Sequence, residues 1–224
     1  METLKNYQLL QAVVELMNKH TINCFISKPP LIINSNIKDV NNPVFFITGL
    51  VGSGKTTIGE IISKDNGYKL ISLDALKFYD EANLESQKEI DEFISLYPNI
   101  LPLIKNHWCE TDSSHKNDLL YKKYCNIFFD HIVKKYHNSN EVLLIEGIQL
   151  FVRIPSQKLQ AKTICILRTS SLKCCIRFVR RNNKHISKYT LEQIFTYHIK
   201  QRIMLNHFIK KMTNDLSYQK RLSK

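Results

Sequence analysis

Eight consecutive residues, Gly49-Leu50-Val51-Gly52-Ser53-Gly54-Lys55-Thr56, match the pattern G-x-x-x-x-G-K-[ST]. Glycines at these places let the backbone turn its N–H groups around an anion, with no Cβ in the way. Lys55 would reach the β- and γ-phosphates of a nucleotide, and the Thr56 hydroxyl would hold Mg²⁺. The binding candidates are therefore Gly49, Val51, Gly52, Ser53, Gly54, Lys55, Thr56 and Thr57.

Two carboxylates follow at strand ends. Asp74 closes "ISL" in "ISLDALKFYD" and could take the proton of an acceptor hydroxyl. Its structural alternative is a helix N-cap for the segment from Ala75. Asp80 is a weaker second candidate that fits a solvated helical charge. Glu146 closes "EVLLIE" and could polarise Mg²⁺ or its bound water, so Thr56 and Glu146 form the metal candidates. An acid at the end of a buried apolar strand needs such a partner, because an unpaired buried charge is costly. Further on, Arg177, Arg180 and Arg181 in "CIRFVRRNNKH" fall at i, i+3 and i+4 and share a helix face. From a lid they would neutralise a phosphoryl group in flight. Otherwise they form a basic surface.

These residues need elements to position them. Val44 to Ile47 reads as a buried strand before the glycine loop, with a helix from 55 to about 64 after it. "YKLISL" (68–73), "EVLLIEG" (141–147) and "KTICIL" (162–167) read as three more strands. Between them lies a helical region from about 75 to 137, broken near Tyr97-Pro98 and Thr111–Ser114. Helices at about 171–182 and 190–212 follow. Alternation of this kind builds a mostly parallel sheet with helices on both faces and ligands at the strands' carboxyl ends. The fold class expected is α/β, a three-layer P-loop NTPase fold.

The expected organisation is an N-terminal helical extension and connector over 1–43 and a nucleotide-binding core over 44–212. The core would carry a helical acceptor-side insert at 78–137 and a lid at 175–190, with a basic tail at 213–224. In the extension, Leu9, Val13, Leu16 and Met17 would share one helix face, and Ile22 to Ile26 could form an edge strand. Residues 28–43, rich in Pro, Asn and Ser, read as a connector.

The 224 residues carry a net charge of +12. Residues 153–224 hold 17 Lys and Arg against 2 Asp and Glu, whereas residues 1–152 hold 15 against 18. The last third is suited to an anion: a nucleotide, a phosphorylated substrate or nucleic acid. Six cysteines without a C-x-x-C pair read as reduced and buried, hence a cytoplasmic chain. The longest apolar run is interrupted by Glu146, which excludes a membrane span.

With the blocks "FFITGLVGSGKTT", "ISLDALKFYD" and "VLLIEGIQLF" in this order, the chain resembles the uridine kinase and phosphoribulokinase-like group of P-loop kinases. "TICILRTSSLKCCIRFVRRNNKH" is similar to that group's fourth strand and lid helix. The likeness covers roughly 44–80 and 141–210. It implies ATP and Mg²⁺ as cofactors, Asp74 as base, Lys55 and Thr56 as phosphate and metal residues, and the three arginines in the lid. Residues 81–140 depart from it, Arg168-Thr169-Ser170 stands where the group places an Asp, and Asn182, Asn183 and His185 replace an acid after the lid arginines. The resemblance therefore implies phosphoryl transfer without naming uridine as acceptor.

The expected activity is transfer from Mg·ATP to a hydroxyl of a small-molecule acceptor. No N-K-x-D follows the glycine loop, so adenine is the expected base. Tyr97, His107, Trp108 and Tyr121 could stack on the acceptor, although core packing is the commoner fate of such side chains. Two other readings stay open: a nucleic-acid-associated ATPase or polynucleotide kinase, and a toxin-like P-loop kinase.

Overall fold

The computed structural model describes residues 31–33, 44–101, 115–137, 139–159, 163–181 and 191–222. Five strands form one sheet: β1 (Leu31–Ile33), β2 (Val44–Gly49), β3 (Lys69–Ser72), β4 (Leu143–Glu146) and β5 (Thr163–Leu167). Their order is β1-β5-β2-β4-β3. β2, β3, β4 and β5 run parallel, and β1 pairs antiparallel with β5.

The glycine loop leaves the central strand. All six residues of β2 are buried, as expected for a strand covered on both faces. Side chains alternate between the two faces. Phe45, Ile47, Leu70, Leu144, Cys165 and Leu167 pack under helix α1 (Lys55–Asn66), against Ile58 and Ile62. Phe46, Ile71, Leu143, Ile145, Ile164 and Ile166 face the other way. There they meet α2 (Leu84–Leu96), α3 (His115–Tyr136) and α6 (Leu191–Leu222) through Ile90, Phe93, Phe128, Phe129, Leu205 and Phe208. Rings join these layers: Phe46 and Phe129 lie 5.8 Å apart, and Phe93 and Phe128 lie 5.1 Å apart. Two helices complete the described chain, the one-turn α4 (Gln149–Val152) and α5 (Ser171–Arg181).

Strand register does the positioning. Ile47 pairs with Glu146, and Glu146 pairs with Ser72. The carboxyl ends of β2, β4 and β3 thus reach one rim together. Helix α1 runs two residues past the expected end, to Asn66, and closes on Gly67, whose N–H donates to the Ser63 carbonyl.

The expected connector at 28–43 contains a strand. β1 has three residues and borders β5, more than 130 positions later, so no local pattern marks it. The expected edge strand at Ile22–Ile26 and the helix face of Leu9, Val13, Leu16 and Met17 lie outside the described residues. The last helix does not stop at 212. It holds neither Gly nor Pro and runs to Leu222. Residues 78–137 include α2 and α3, whose inner faces belong to the core of the whole sheet.

A buried ion network ties α2 and α3 to the start of β3. Glu89 of α2 is buried between Lys69 at 3.3 Å and Lys135 at 2.9 Å, and accepts a hydrogen bond from the Tyr136 hydroxyl. Burial would raise the Glu89 pKa, but Tyr136, Lys135 and Lys69 outweigh it and hold the carboxyl below its usual range. Lys69 is shifted the other way: burial opposes its charge, while Tyr136, Glu85 and Glu89 together raise its pKa. The signs set the pH window. Glu89 stabilises the fold above the ordinary carboxylate pKa, and that stability disappears as pH falls through its lowered value. Lys69 stabilises at all pH values below the ordinary lysine pKa. The network therefore holds at neutral pH and fails in acid. Glu89→Gln should cost on the order of 3 kcal/mol at pH 7, since it leaves two ammonium groups short of a carboxylate. Denaturant midpoints against pH check this. The variant should converge with wild type only after pH has fallen through the lowered Glu89 pKa, where both side chains are uncharged. A constant gap down to acid pH would assign the loss to packing.

Candidate active site

The glycine loop spans Leu50 to Gly54, and α1 starts at Lys55 with Gly54 as its N-cap. A helix N-terminus directed at the loop favours an anion there. Gly52 adopts φ +77°, and a Cβ on it would lie 2.7 Å from the Cys174 carbonyl oxygen. Only glycine fits so close to the start of α5. Three contacts fix the loop's outer side. The Val51 N–H donates to Gln201 Oε1 (3.3 Å), Thr169 Oγ1 donates to the Ser53 carbonyl (3.2 Å), and Arg177 Nη1 donates to the Gly52 carbonyl (3.0 Å). Arg202 donates to the Thr169 carbonyl behind them.

Lys55 is buried, with Nζ 3.4 Å from Asp74 Oδ2. Burial opposes the charged ammonium, but Asp74 and Glu146 beside it prevail and raise its pKa above the usual lysine value. Asp74 lies in a 3-10 turn, Leu73–Leu76, that directly follows β3. It is not an N-cap. The residue at the cap position is Ser72, and Asp74 Oδ2 instead accepts the Ile148 N–H at 3.3 Å. Its Oδ1 is buried without a hydrogen-bond partner among the described residues. Gly147 has φ +149°, and a Cβ there would stand 3.2 Å from Asp74 Oδ1. The absence of a side chain at Gly147 makes room for this carboxylate.

Glu146 is buried, 1% exposed. Oε1 accepts from Thr56 Oγ1 at 3.3 Å and from the Ser72 hydroxyl, while Oε2 has no hydrogen-bond partner among the described residues. Burial raises its pKa to about 7; Lys55 pulls the other way, Asp74 adds to the rise, and Ser72 and Thr56 pull it down. A carboxylate held this way is short of positive charge. Among the described residues no group of three His, Cys, Asp or Glu side chains could hold a metal alone. A Mg²⁺ ion commonly takes one or two protein oxygens and fills its shell with phosphate and water. Thr56 Oγ1 and the free Glu146 oxygen fit that requirement.

Lys55, Asp74, Thr56 and Glu146 thus come together on one rim, and Arg177 borders the loop from outside. Arg180 and Arg181 belong to α5, but their side chains lie outside the described residues, as do residues 182–190 and His107 and Trp108. Tyr97 is exposed and pairs with the Phe93 ring. Asp80 is in an exposed 3-10 turn away from these contacts. Sequence reasoning missed Ser72, Gln201, Thr169 and Arg202. Only the hydroxyl of Ser72, facing Glu146 across the expected strand ends, was open to inference. Cys125, Cys165, Cys174 and Cys175 are free and buried. No helix among the described residues is long and apolar enough to cross a membrane.

A mostly parallel sheet in this order, with a G-x-x-x-x-G-K-T loop between its central strand and α1, is the three-layer P-loop NTPase fold. No protein-family model matches the chain. It is 27% identical over 114 residues to a tRNA dimethylallyltransferase of Methylacidiphilum infernorum (isolate V4), over 50% of this chain and 32% of that protein. The chain thus matches about a third of that relative's length. Two solved structures are similar in outline. TT1252 from Thermus thermophilus aligns with TM-score 0.41 and 14% identity, over 69% of this chain and 78% of that one. A gluconokinase from Sinorhizobium meliloti 1021 aligns with TM-score 0.35 and 15% identity, over 71% and 74%.

Proposed function

We propose that the chain transfers the γ-phosphoryl group of ATP to a hydroxyl of a small-molecule acceptor held beside Asp74. One observation carries this reading: a carboxylate with an unpartnered buried oxygen lies 3.4 Å from the lysine of the phosphate loop. A group so placed is within reach of both the phosphate and its acceptor. In this reading the acceptor oxygen attacks the γ-phosphorus, the bond to the β-bridging oxygen breaks, and ADP leaves. Asp74 takes the hydroxyl proton. Lys55 exchanges Asp74 for the phosphates, which releases Oδ2 from its ion pair and leaves it the Ile148 N–H. Arg177 is poised at the outer side of the loop to meet the same charge. Bound Mg²⁺ would neutralise phosphate charge, held by Thr56 and Glu146.

The test is ADP release from Mg·ATP with pools of nucleosides, nucleotides, sugars and vitamins. Stimulation by one pool supports transfer, and splitting the pool names the acceptor. ATP binding without stimulation by any pool would rule out a small-molecule acceptor from those classes.

A second reading has its own observations, the stretch shared with a protein named for acting on tRNA and the basic last third. Here the acceptor is nucleic acid. Phosphate contacts would then give a steep fall of oligonucleotide binding with salt. A weak, flat response removes this reading.

A further inference from the structure

We propose that Thr48 is a positioning residue for Asp74, acting through the Gly147–Ile148 peptide. This rests on the phosphoryl-transfer reading of the same site, in which Asp74 is the base. Thr48 stands on β2, one residue past the register pair of Ile47 and Glu146. It is fully buried, and its hydroxyl donates to the Gly147 carbonyl at 2.8 Å. The Ile47 carbonyl accepts the Gly147 N–H at 3.2 Å. Consecutive residues of the central strand therefore hold both sides of Gly147, just beyond the end of β4.

The Gly147 carbonyl and the Ile148 N–H belong to one peptide unit. That unit is planar and trans, so the two groups point opposite ways. Thr48 pins the carbonyl end, and the other end donates to Asp74 Oδ2 at 3.3 Å. The peptide needs such a clamp. Gly147 has φ +149° and no side chain to limit rotation, so its own conformation does not set the direction of the N–H. A side chain cannot supply the limit, since a Cβ there would stand 3.2 Å from Asp74 Oδ1 and from the Leu73 Cβ. The clamp matters most with nucleotide bound. Asp74 Oδ2 is shared between Lys55 at 3.4 Å and the Ile148 N–H. Once phosphates draw Lys55 away, the Ile148 N–H is the hydrogen bond that remains to this carboxylate among the described residues. A base must stay within hydrogen-bond reach of the proton it takes. A turned peptide would let the carboxylate swing off that line. The plain alternative is that the Thr48 hydroxyl only satisfies a buried carbonyl, which would bear on stability and not on Asp74.

The experiment uses the full chain and has two arms. In the first, without nucleotide, hydrogen exchange of the Ile148 amide is followed by NMR in wild type, Thr48→Val and Thr48→Ser. Valine keeps the branched shape and removes the hydroxyl. We expect the Ile148 amide to exchange about 3- to 10-fold faster in Thr48→Val, as for loss of one hydrogen bond, and near the wild-type rate in Thr48→Ser. Amides of α2 are the control, because a global loss of stability raises them equally. The second arm measures steady-state transfer to the acceptor whose pool stimulates ADP release. Thr48→Val should lower kcat about 10- to 100-fold with the KM for ATP unchanged, and Thr48→Ser should recover most of the rate. In the Asp74→Asn background Thr48→Val should cost less than about 3-fold, because the residue it acts through is already disabled. If Thr48→Val melts early, Thr48→Ala against Thr48→Ser carries both arms.

Unchanged exchange at Ile148, or an equal rise at Ile148 and in α2, overturns the proposal. A full further loss of rate in the Asp74→Asn background also overturns it and makes Thr48 a structural residue. Transfer unaffected by Thr48→Val keeps the transfer reading and removes this one. Faster exchange at Ile148 alone, with no pool stimulating ADP release, keeps the clamp on Asp74 and removes the transfer reading.

Discussion

Asp74→Asn is expected to lower the rate of phosphoryl transfer about 10²- to 10⁴-fold, the usual contribution of a positioned base. Nucleotide affinity should stay within a few-fold of wild type. It could even tighten, because the free chain pairs Asp74 with Lys55 at 3.4 Å, and phosphate must compete with that pair. Asparagine keeps the shape, and its oxygen can still accept the Ile148 N–H. It cannot take up a proton. Nucleotide titration and single-turnover transfer, run on the same preparation, separate the two effects. Equal loss of binding and transfer would make Asp74 a structural residue and sink its assignment as base.

Lys55→Met should do the opposite to binding. We expect loss of measurable nucleotide affinity together with a fall in turnover of about 10²- to 10³-fold, as for removal of one preorganised charge donor. The physical reason is the crowding of carboxylates. Without Lys55, Asp74 and Glu146 face any incoming phosphate with no ammonium between them. The stem of methionine still fills the buried space, so the fold should survive. Melting curves check the fold, and nucleotide titration checks the affinity. Unchanged nucleotide affinity in a folded Lys55→Met chain would mean that the loop does not hold phosphate through this lysine.

The two variants probe what was readable from the chain alone. The glycine loop, Lys55 and Thr56 were legible because their pattern is contiguous and its backbone demands are local. Asp74 and Glu146 were legible because one follows and the other ends a short apolar strand, and strand ends meet at one rim in a parallel sheet. The detail around them was not. Ser72 reaches Glu146 only through the register of β3 on β4, across 74 positions of chain. Gln201 and Thr169 reach the loop from 150 and 116 positions away, and nothing in their neighbourhoods marks them. β1 escaped because a three-residue strand between prolines and asparagines has no periodicity to read. The end of the last helix was misplaced because no Gly or Pro stops it before Leu222.

The contacts of Gln201 and β1 also order events in time. The phosphate loop is made before its Val51 brace, which comes from α6, 150 positions later. β1 is made earlier still, and the partner that receives it, β5, emerges more than 130 residues later. Closing such distant pairs is slow compared with local helix formation. On the ribosome, then, the nascent chain holds an unbraced loop and an unpaired edge strand until those partners emerge. A phosphate-bearing ligand would meet the braced loop only after α6 has docked.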